Sequence, residues 1–254
     1  MKSPTESRAL SAPDHLALRA GLASIWLTTG ALVLHPHYRE VGAQYLEPLG
    51  LGEWIMWVTC AAEIGLGLWV LLRPMRTWLA VLQGGMIATF TLTLAVTEPM
   101  LLAHPLGVLS KNLPVLALIV VLWLVEVEGW TERGERLLRF GVASVWFTEG
   151  IVPKVLVQQP WELEFVTRLG LPGDPGVVLA VVGLLQAASG VAALTLTGRP
   201  LRVVLGLQLA ALVTLPALVA LLEPLWLVHP FGPLTKNLPV LAGTAVVYRC
   251  SSRS

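Results

Sequence analysis

One stretch of this chain occurs twice, and both copies carry polar residues amid strongly apolar surroundings. Glu98-Pro99 leads through His104-Pro105, Gly107 and Ser110 to Lys111-Asn112-Leu113-Pro114-Val115-Leu116-Ala117. The same order returns 125 positions later as Glu223-Pro224, His229-Pro230, Gly232, Thr235 and Lys236-Asn237-Leu238-Pro239-Val240-Leu241-Ala242. Matches this dense at one offset define a duplicated unit, so the chain is expected to fold as two copies of one design. The first helix of each copy agrees. Leu18-Arg19, Gly21, Ala23-Ser24, Trp26 and Gly30 align on Leu138-Arg139, Gly141, Ala143-Ser144, Trp146 and Gly150 at an offset of 120. Arg73-Pro74 pairs with Arg199-Pro200 and Gln83 with Gln208, and the extra residues fall around Pro172-Gly173-Asp174-Pro175.

Composition places the duplicated unit in a bilayer. Of 254 residues, 55% are hydrophobic and 13% charged, where soluble domains carry about a quarter charged residues. Apolar stretches near the ~20 residues that cross a membrane recur along the chain. Eight spans are expected: Leu16–Leu34, Trp54–Leu72, Trp78–Thr97, Leu113–Val125, Leu138–Leu156, Gly176–Thr195, Val203–Leu222 and Leu234–Val247. The reading is therefore an all-α integral membrane protein of two pseudo-symmetric four-helix bundles. With four spans each, the copies insert in the same orientation, a parallel internal repeat. The expected organisation is a flexible tail (1–15), a first repeat (16–126), a polar linker (127–136), a second repeat (137–249) and a short tail (250–254). The first fifteen residues have no apolar core of the signal-peptide kind, so the first helix is expected to direct insertion.

Charge gives an orientation. With a cytoplasmic N-terminus, twelve of the seventeen basic residues fall on the cytoplasmic side: Lys2, Arg8, Arg19, Arg73, Arg76, Arg133, Arg136, Arg139, Arg199, Arg202, Arg249 and Arg253. The other face keeps Arg39, Lys111, Lys154, Arg168 and Lys236. The positive-inside bias then puts both termini in the cytoplasm and the His-Pro/Lys-Asn loops outside. In a bacterium this would be the plasma or inner membrane. Trp54, Trp78, Trp130, Trp161 and Trp226 suit interfacial belts, and Trp26 and Trp146 the bundle interior. Tyr45–Leu51 and Trp161–Leu171 read as matched amphipathic segments on the outer surface.

Several function classes are excluded. No phosphate loop, nucleotide fingerprint or hydrolase motif occurs, and a net charge of +1 gives no sign of nucleic-acid binding. Cys60 and Cys250 fall at opposite ends of the expected topology, and no C-x-x-C is present. His35-Pro36-His37 lacks a third metal ligand, so no metal is expected, nor any intrinsic cofactor.

Arg139-Phe140-Gly141-Val142-Ala143-Ser144-Val145-Trp146-Phe147-Thr148-Glu149-Gly150-Ile151-Val152-Pro153-Lys154 resembles the opening helix of the DoxX-like membrane proteins. Ala61-Ala62-Glu63-Ile64-Gly65-Leu66-Gly67 resembles their second helix, and the loop His-Pro-x-Gly-x-x-[Ser/Thr]-Lys-Asn-Leu-Pro the end of that domain. The chain thus resembles two such four-helix units in tandem, over about residues 16 to 249. The resemblance implies the fold. It also implies a link to redox chemistry, since relatives include membrane subunits of thiosulfate:quinone oxidoreductase.

Each copy keeps one intramembrane acid of the family pattern. Glu149 and Lys154 in the second face Thr29 and Leu34 in the first, while Glu63 in the first faces Gln186 in the second. A carboxylate in the bilayer costs ~2.5–3.5 kcal/mol on the translocon scale and marks a functional candidate. One polar site formed by Glu63, Glu149 and Lys154, with Gln186 as a counterpart, is one reading; buried acids that only fix helix register are the other. Glu149 and Lys154 lie about 140° apart round a helix, so a direct pair requires a bend at Pro153.

The repeated loop supplies a second candidate set: Glu98, His104, Lys111 and Asn112, with Glu223, His229, Lys236 and Asn237. Structurally, Pro114 suits a first helical turn, Asn112 a cap, and Lys111 either a partner for Glu98 or a group that snorkels to the lipid headgroups. Functionally, lysine and a helix N-terminus attract an anionic or carbonyl-bearing ligand, with histidine exchanging protons near neutral pH. Two function classes stay open. One is a membrane subunit or accessory of a quinone-linked redox system, with a bound quinone or lipid and a redox partner. The alternative is a small-molecule or ion carrier, or an assembly factor, using the buried Glu and Lys.

Overall fold

The computed structural model describes residues 9–251. Among these residues it is helical throughout, with no strand. Ten α-helices follow one another: α1 (Ala12–Leu32), α2 (Pro36–Leu46), α3 (Trp54–Leu72), α4 (Thr77–Thr97), α5 (Asn112–Glu128), α6 (Glu132–Ile151), α7 (Pro160–Arg168), α8 (Pro175–Thr195), α9 (Gly198–Leu222) and α10 (Asn237–Cys250). Each of the eight expected apolar stretches falls largely on an α-helix, although not every one of these helices is long enough to span. Four helices (α3, α4, α8 and α9) are long and apolar enough to cross a membrane unaided, and six spans result if the bent pairs α1–α2 and α6–α7 each count as one.

Local chemistry sets the helix ends. The Ser11 hydroxyl accepts from the Asp14 N–H at 3.3 Å, so α1 starts at Ala12, inside the expected flexible tail. Asp14 is fully buried and bonded to Arg249, which ties the start of α1 to the end of α10. The rest of that tail, residues 1–8 with Lys2 and Arg8, lies outside the described residues, as does Arg253. Asp174 caps α8 by accepting from Val177 N–H at 3.0 Å. Arginines finish the second long helix of each repeat. Arg19 donates to the carbonyls of Val70 (2.9 Å) and Arg73 at the end of α3. Arg139 donates to those of Ala193 and Leu196 (both 2.8 Å) at the end of α8. These carbonyls are among the last of each helix, which have no partner within it.

Two self-contained four-helix bundles do not form. α1 packs on α3 of its own repeat but also along α10 of the other, and α6 packs on α8 and along α5. Small residues decide this. A Cβ at Gly21 would overlap Ala242 of α10, and one at Gly141 would lie 2.6 Å from Ala117 Cβ of α5. The first helix of each repeat thus seats against the last helix of the other, and α1, α5, α6 and α10 form the centre. α5 and α10, with 17 and 14 residues, are shorter than the ~20 of a full crossing. The loop before α5 runs into the protein, with Val108 and Leu109 buried. Such non-helical backbone is tolerated where protein encloses it.

α3, α4, α8 and α9 form the outside. Val96 and Leu221, both 81% exposed, typify a surface of large apolar side chains. Trp54 and Trp78 are exposed, as an interfacial belt requires, whereas Trp130 is 7% exposed and belongs to the central core. The chain turns sharply after α1 and α6: α2 and α7 leave at 89° and 86°. α7 contains most of Trp161–Leu171, whereas Tyr45–Leu51 falls mainly beyond α2, in the short helical turn Glu47–Leu49 and the residues after it.

Candidate functional site

The two repeated loops are stitched together by their lysines. Lys111 Nζ donates to Leu106 O of its own loop (2.6 Å) and to Pro233 O of the other (3.0 Å). Lys236 Nζ returns the bond to Val108 O at 2.8 Å. Buried loops carry carbonyls that no helix satisfies, and ammonium groups supply the missing donors. Lys111 does not reach Glu98. Its ammonium lies 3.8 Å from Glu149 Oε1, which also accepts from Ser110 Oγ at 3.2 Å. Burial pulls the Lys111 ammonium below the ordinary lysine range, against the opposing pull of Glu149. Gly107 makes room for this pair: its φ is +68°, and any Cβ would overlap the Glu149 carboxylate.

α6 ends in a five-residue π turn, Val152–Leu156, where Pro153 lacks the N–H a regular helix would use. The turn swings Lys154 so that its Nζ donates to the Glu149 backbone carbonyl (3.0 Å) and pairs with Glu162 of α7 at 2.7 Å. The bend at Pro153 therefore serves a pair with Glu162, and Glu149 contributes its backbone to Lys154. Lys111, Glu149, Lys154 and Glu162 form one buried cluster of two bases and two acids. Glu162 was not singled out from the sequence, although Gly42 stands opposite it at the 120-residue offset of the repeat.

Glu63 stands in a different environment. Its carboxylate is 6% exposed, and Oε2 has no hydrogen-bond partner among the described residues. It lines a cavity of about 800 Å³ enclosed by α1 to α4 and the second loop. Ile25, Trp26, Ile87 and Phe90 give the apolar walls, and Glu63, Thr29, Asn112 and Lys236 the polar points. Lys236 lines the same space as Glu63. Tyr38 Oη and Cys60 Sγ, 3.3 Å apart, are on the same wall. Trp26 is fixed by donating its indole N–H to Gln83 Oε1 at 2.7 Å.

The remaining candidates divide. Asn112 does not cap α5; it sits in the first turn and donates to Thr91 Oγ1 of α4 at 2.8 Å. Asn237 is buried in the first turn of α10. Gln186 is half-buried on α8, away from the cavity lining. Glu98 borders the cavity, while Glu223 accepts the indole N–H groups of Trp161 (3.0 Å) and Trp226 (2.9 Å). His104 and His229 brace their own loops, each Nδ1 accepting from an N–H two residues on, in Leu106 and Phe231. Trp226 lies against both rings, with centroids 5.1 and 5.0 Å away.

Burial, the His229 charge and Lys111 push His104 down to about 4. Burial, His37 and Lys236 push His229 down to about 4 as well. Both imidazoles are neutral at pH 7. Once unfolded they protonate near the ordinary 6.5, so the unfolded state binds more protons between about 6.5 and 4. Thermal stability in detergent is expected to be independent of these two groups above pH 6.5 and to fall as pH drops toward 4. Replacing both by glutamine should flatten that part of the profile; an unchanged acid limb would contradict this assignment.

A shell of exposed apolar helices around a core with buried ion pairs defines a polytopic helical membrane protein. It is a member of the DoxX-like family, whose model matches residues 23–120 and again residues 143–245, two tandem units in one chain. No curated protein and no solved structure is significantly similar to the chain.

Proposed function

We propose that this protein is a membrane subunit or accessory of a quinone-linked redox system, with the Glu63 cavity as its quinone-binding site. The observation that carries the proposal is an apolar space of about 800 Å³ with Glu63 and Lys236 on its wall. Ligand sites are characteristically apolar clefts of this size with few, convergent polar groups. Lys236 Nζ has a donor to spare for a ring carbonyl after its bond to Val108, and Glu63 Oε2 needs a partner. Trp26 and Phe90 offer flat apolar surface to a ring. A quinone supplies two-electron, two-proton chemistry when bound. The chain's part is to hold the ring, keep water away and carry a proton at the Glu63 carboxyl, while electrons come from a partner protein. The Lys111–Glu149–Lys154–Glu162 cluster, by contrast, sets each ammonium beside a carboxylate, with Glu162 Oε2 the one buried oxygen left over, and suits a structural lock better than a carrier's pathway.

In this reading all eight long helices cross a bacterial plasma or inner membrane as two parallel repeats related by a pseudo-twofold axis. Both termini face the cytoplasm, because Arg19, Arg73, Arg139, Arg199 and Arg249 gather at that end. Solvent extraction and mass spectrometry of gently purified protein should recover a quinone from the wild type. Glu63→Gln, which keeps the shape of the side chain, should retain ~10-fold less, about 1.4 kcal/mol of binding. A wild type without quinone, folded and intact, would sink the redox reading.

A further inference from the structure

The second repeat carries three charged side chains, Glu149, Lys154 and Glu162, at positions whose counterparts in the first repeat are uncharged. Thr29 and Glu149 occupy corresponding places under the two loop glycines: a Cβ on Gly232 would lie 3.8 Å from Thr29 Oγ1, and one on Gly107 would overlap Glu149 Oε1. At the same 120-residue offset, Gly42 corresponds to Glu162 and Leu34 to Lys154. In the second repeat these three positions close on one another through the 2.7 Å Lys154–Glu162 pair and the bond from Lys154 to the Glu149 carbonyl. In the first, Thr29 and Gly42 border the Glu63 cavity, with Met56 packed on Gly42, and Leu34 turns away and is 71% exposed. Two of the three positions that carry the charged plug in the second repeat thus border the cavity in the first.

The helices around the two places differ in the same sense. α8 and α9 pack directly, whereas α3 and α4 barely touch. The cavity lies behind that gap, with Ile55 and Thr59 of α3 on one side and Phe90 and Leu94 of α4 on the other. Phe90 is 45% exposed, on the face that α4 turns outward. A ligand crossing between these helices comes from the bilayer. Its head would meet the Glu63 carboxyl group and the Lys236 amine, with the exposed Glu98 at the border. One amine beside two acids gives an anionic phosphate no net attraction, and a neutral group that both donates and accepts is suited to the site.

We infer that the chain binds one molecule of a neutral-headed, bilayer-dissolved amphiphile, admitted sideways between α3 and α4 into the first repeat only. The second site is closed by the Lys154–Glu162 plug. The inference takes its site from the proposed function but does not depend on the ligand being a quinone.

The test is native mass spectrometry of the full chain with three probes. These are decylubiquinone (a carbonyl head), mono-oleoylglycerol (a hydroxyl head) and dioleoyl phosphatidylglycerol (an anionic head). The wild type should take one neutral probe per chain and bind the anionic lipid at least tenfold more weakly. Thr29→Glu with Leu34→Lys and Gly42→Glu, which rebuilds the plug in the first repeat, should abolish that binding. Because a Cβ at Gly42 must displace Met56, the reciprocal variant provides an independent check. Glu149→Thr with Lys154→Leu and Glu162→Gly should raise the count to two. Binding of mono-oleoylglycerol without decylubiquinone would keep the single site and overturn the quinone reading. No neutral probe bound by the wild type, two bound per chain, or equal binding of the anionic lipid would overturn the inference.

Discussion

Lys111→Met is expected to be the most damaging single substitution in the chain. The ammonium is 4% exposed and holds three partners: the carbonyls of Leu106 and Pro233 and, at 3.8 Å, the Glu149 carboxylate. Methionine fills similar space without a donor. It would leave two buried carbonyls without this donor and Glu149 with only Ser110 to bond it. Removing one member of a buried pair costs ~3–5 kcal/mol, mainly through the charge left behind. At about 2–4 °C per kcal/mol for a chain this long, a melting-temperature loss of about 10 °C in detergent is expected. Adding Glu149→Leu should restore much of it, because the stranded carboxylate goes too. A double variant as unstable as the sum of the singles would show that Lys111 acts through the carbonyls alone.

Gly150→Ala should rank close behind. α6 crosses α8 here with the two backbones in contact. A Cβ at residue 150 would fall against the Gly183 carbonyl oxygen and 2.7 Å from the Ala187 nitrogen. Neither is the movable end of a side chain, so the helices must separate along their length. Overpacking of this kind costs typically 1–3 kcal/mol and sometimes more; with backbone as the obstacle, about 3 kcal/mol is expected. The separation would also shift the start of the π turn and loosen Lys154 from Glu162. Gly85→Ala is the matched control, since nothing lies within 4 Å of its Cβ position. Thermal unfolding of the two variants side by side should show a large loss at 150 and none at 85. Equal effects would mean that the α6–α8 contact is not close-packed.

Much of the architecture is legible in the chain, for a physical reason. Apolar runs are long-range averages, and every one of the eight predicted stretches lies largely on an α-helix, four of them long and apolar enough to cross a membrane unaided. The repeat shows that two like units exist, but not which helices touch. That is settled by single small residues such as Gly21 and Gly141, each of which lets α1 or α6 approach the last helix of the other repeat. The separate bundles expected from the repeat fail on this point. Helices begin ahead of their apolar runs where a polar cap adds a turn, as Ser11 does for α1.

The candidate residues were found by the same logic, but their partners were not. Glu149 and Lys154 stand out as charges in an apolar helix. Their counter-ions, Lys111 and Glu162, come from a loop of the other repeat and from a helix bent through 86°. Neither relation has a sequence spacing. Glu162 lay hidden in a segment whose polarity suited a membrane surface, and only the opposing Gly42 marked it as unusual. The histidines show the converse. As residue types they suggest proton exchange near pH 7, yet their burial against Trp226 and nearby cations keeps both neutral.

The account turns on one open site and one self-filled site in a duplicated fold. A high-resolution cryo-electron microscopy map of the protein in nanodiscs made from its native membrane lipids examines both places at once. The prediction is elongated non-protein density in the Glu63 cavity reaching out between α3 and α4, with side-chain density alone around Lys154 and Glu162. An α3–α4 gap closed by protein and a cavity without density, at a resolution where lipids elsewhere are visible, would contradict it.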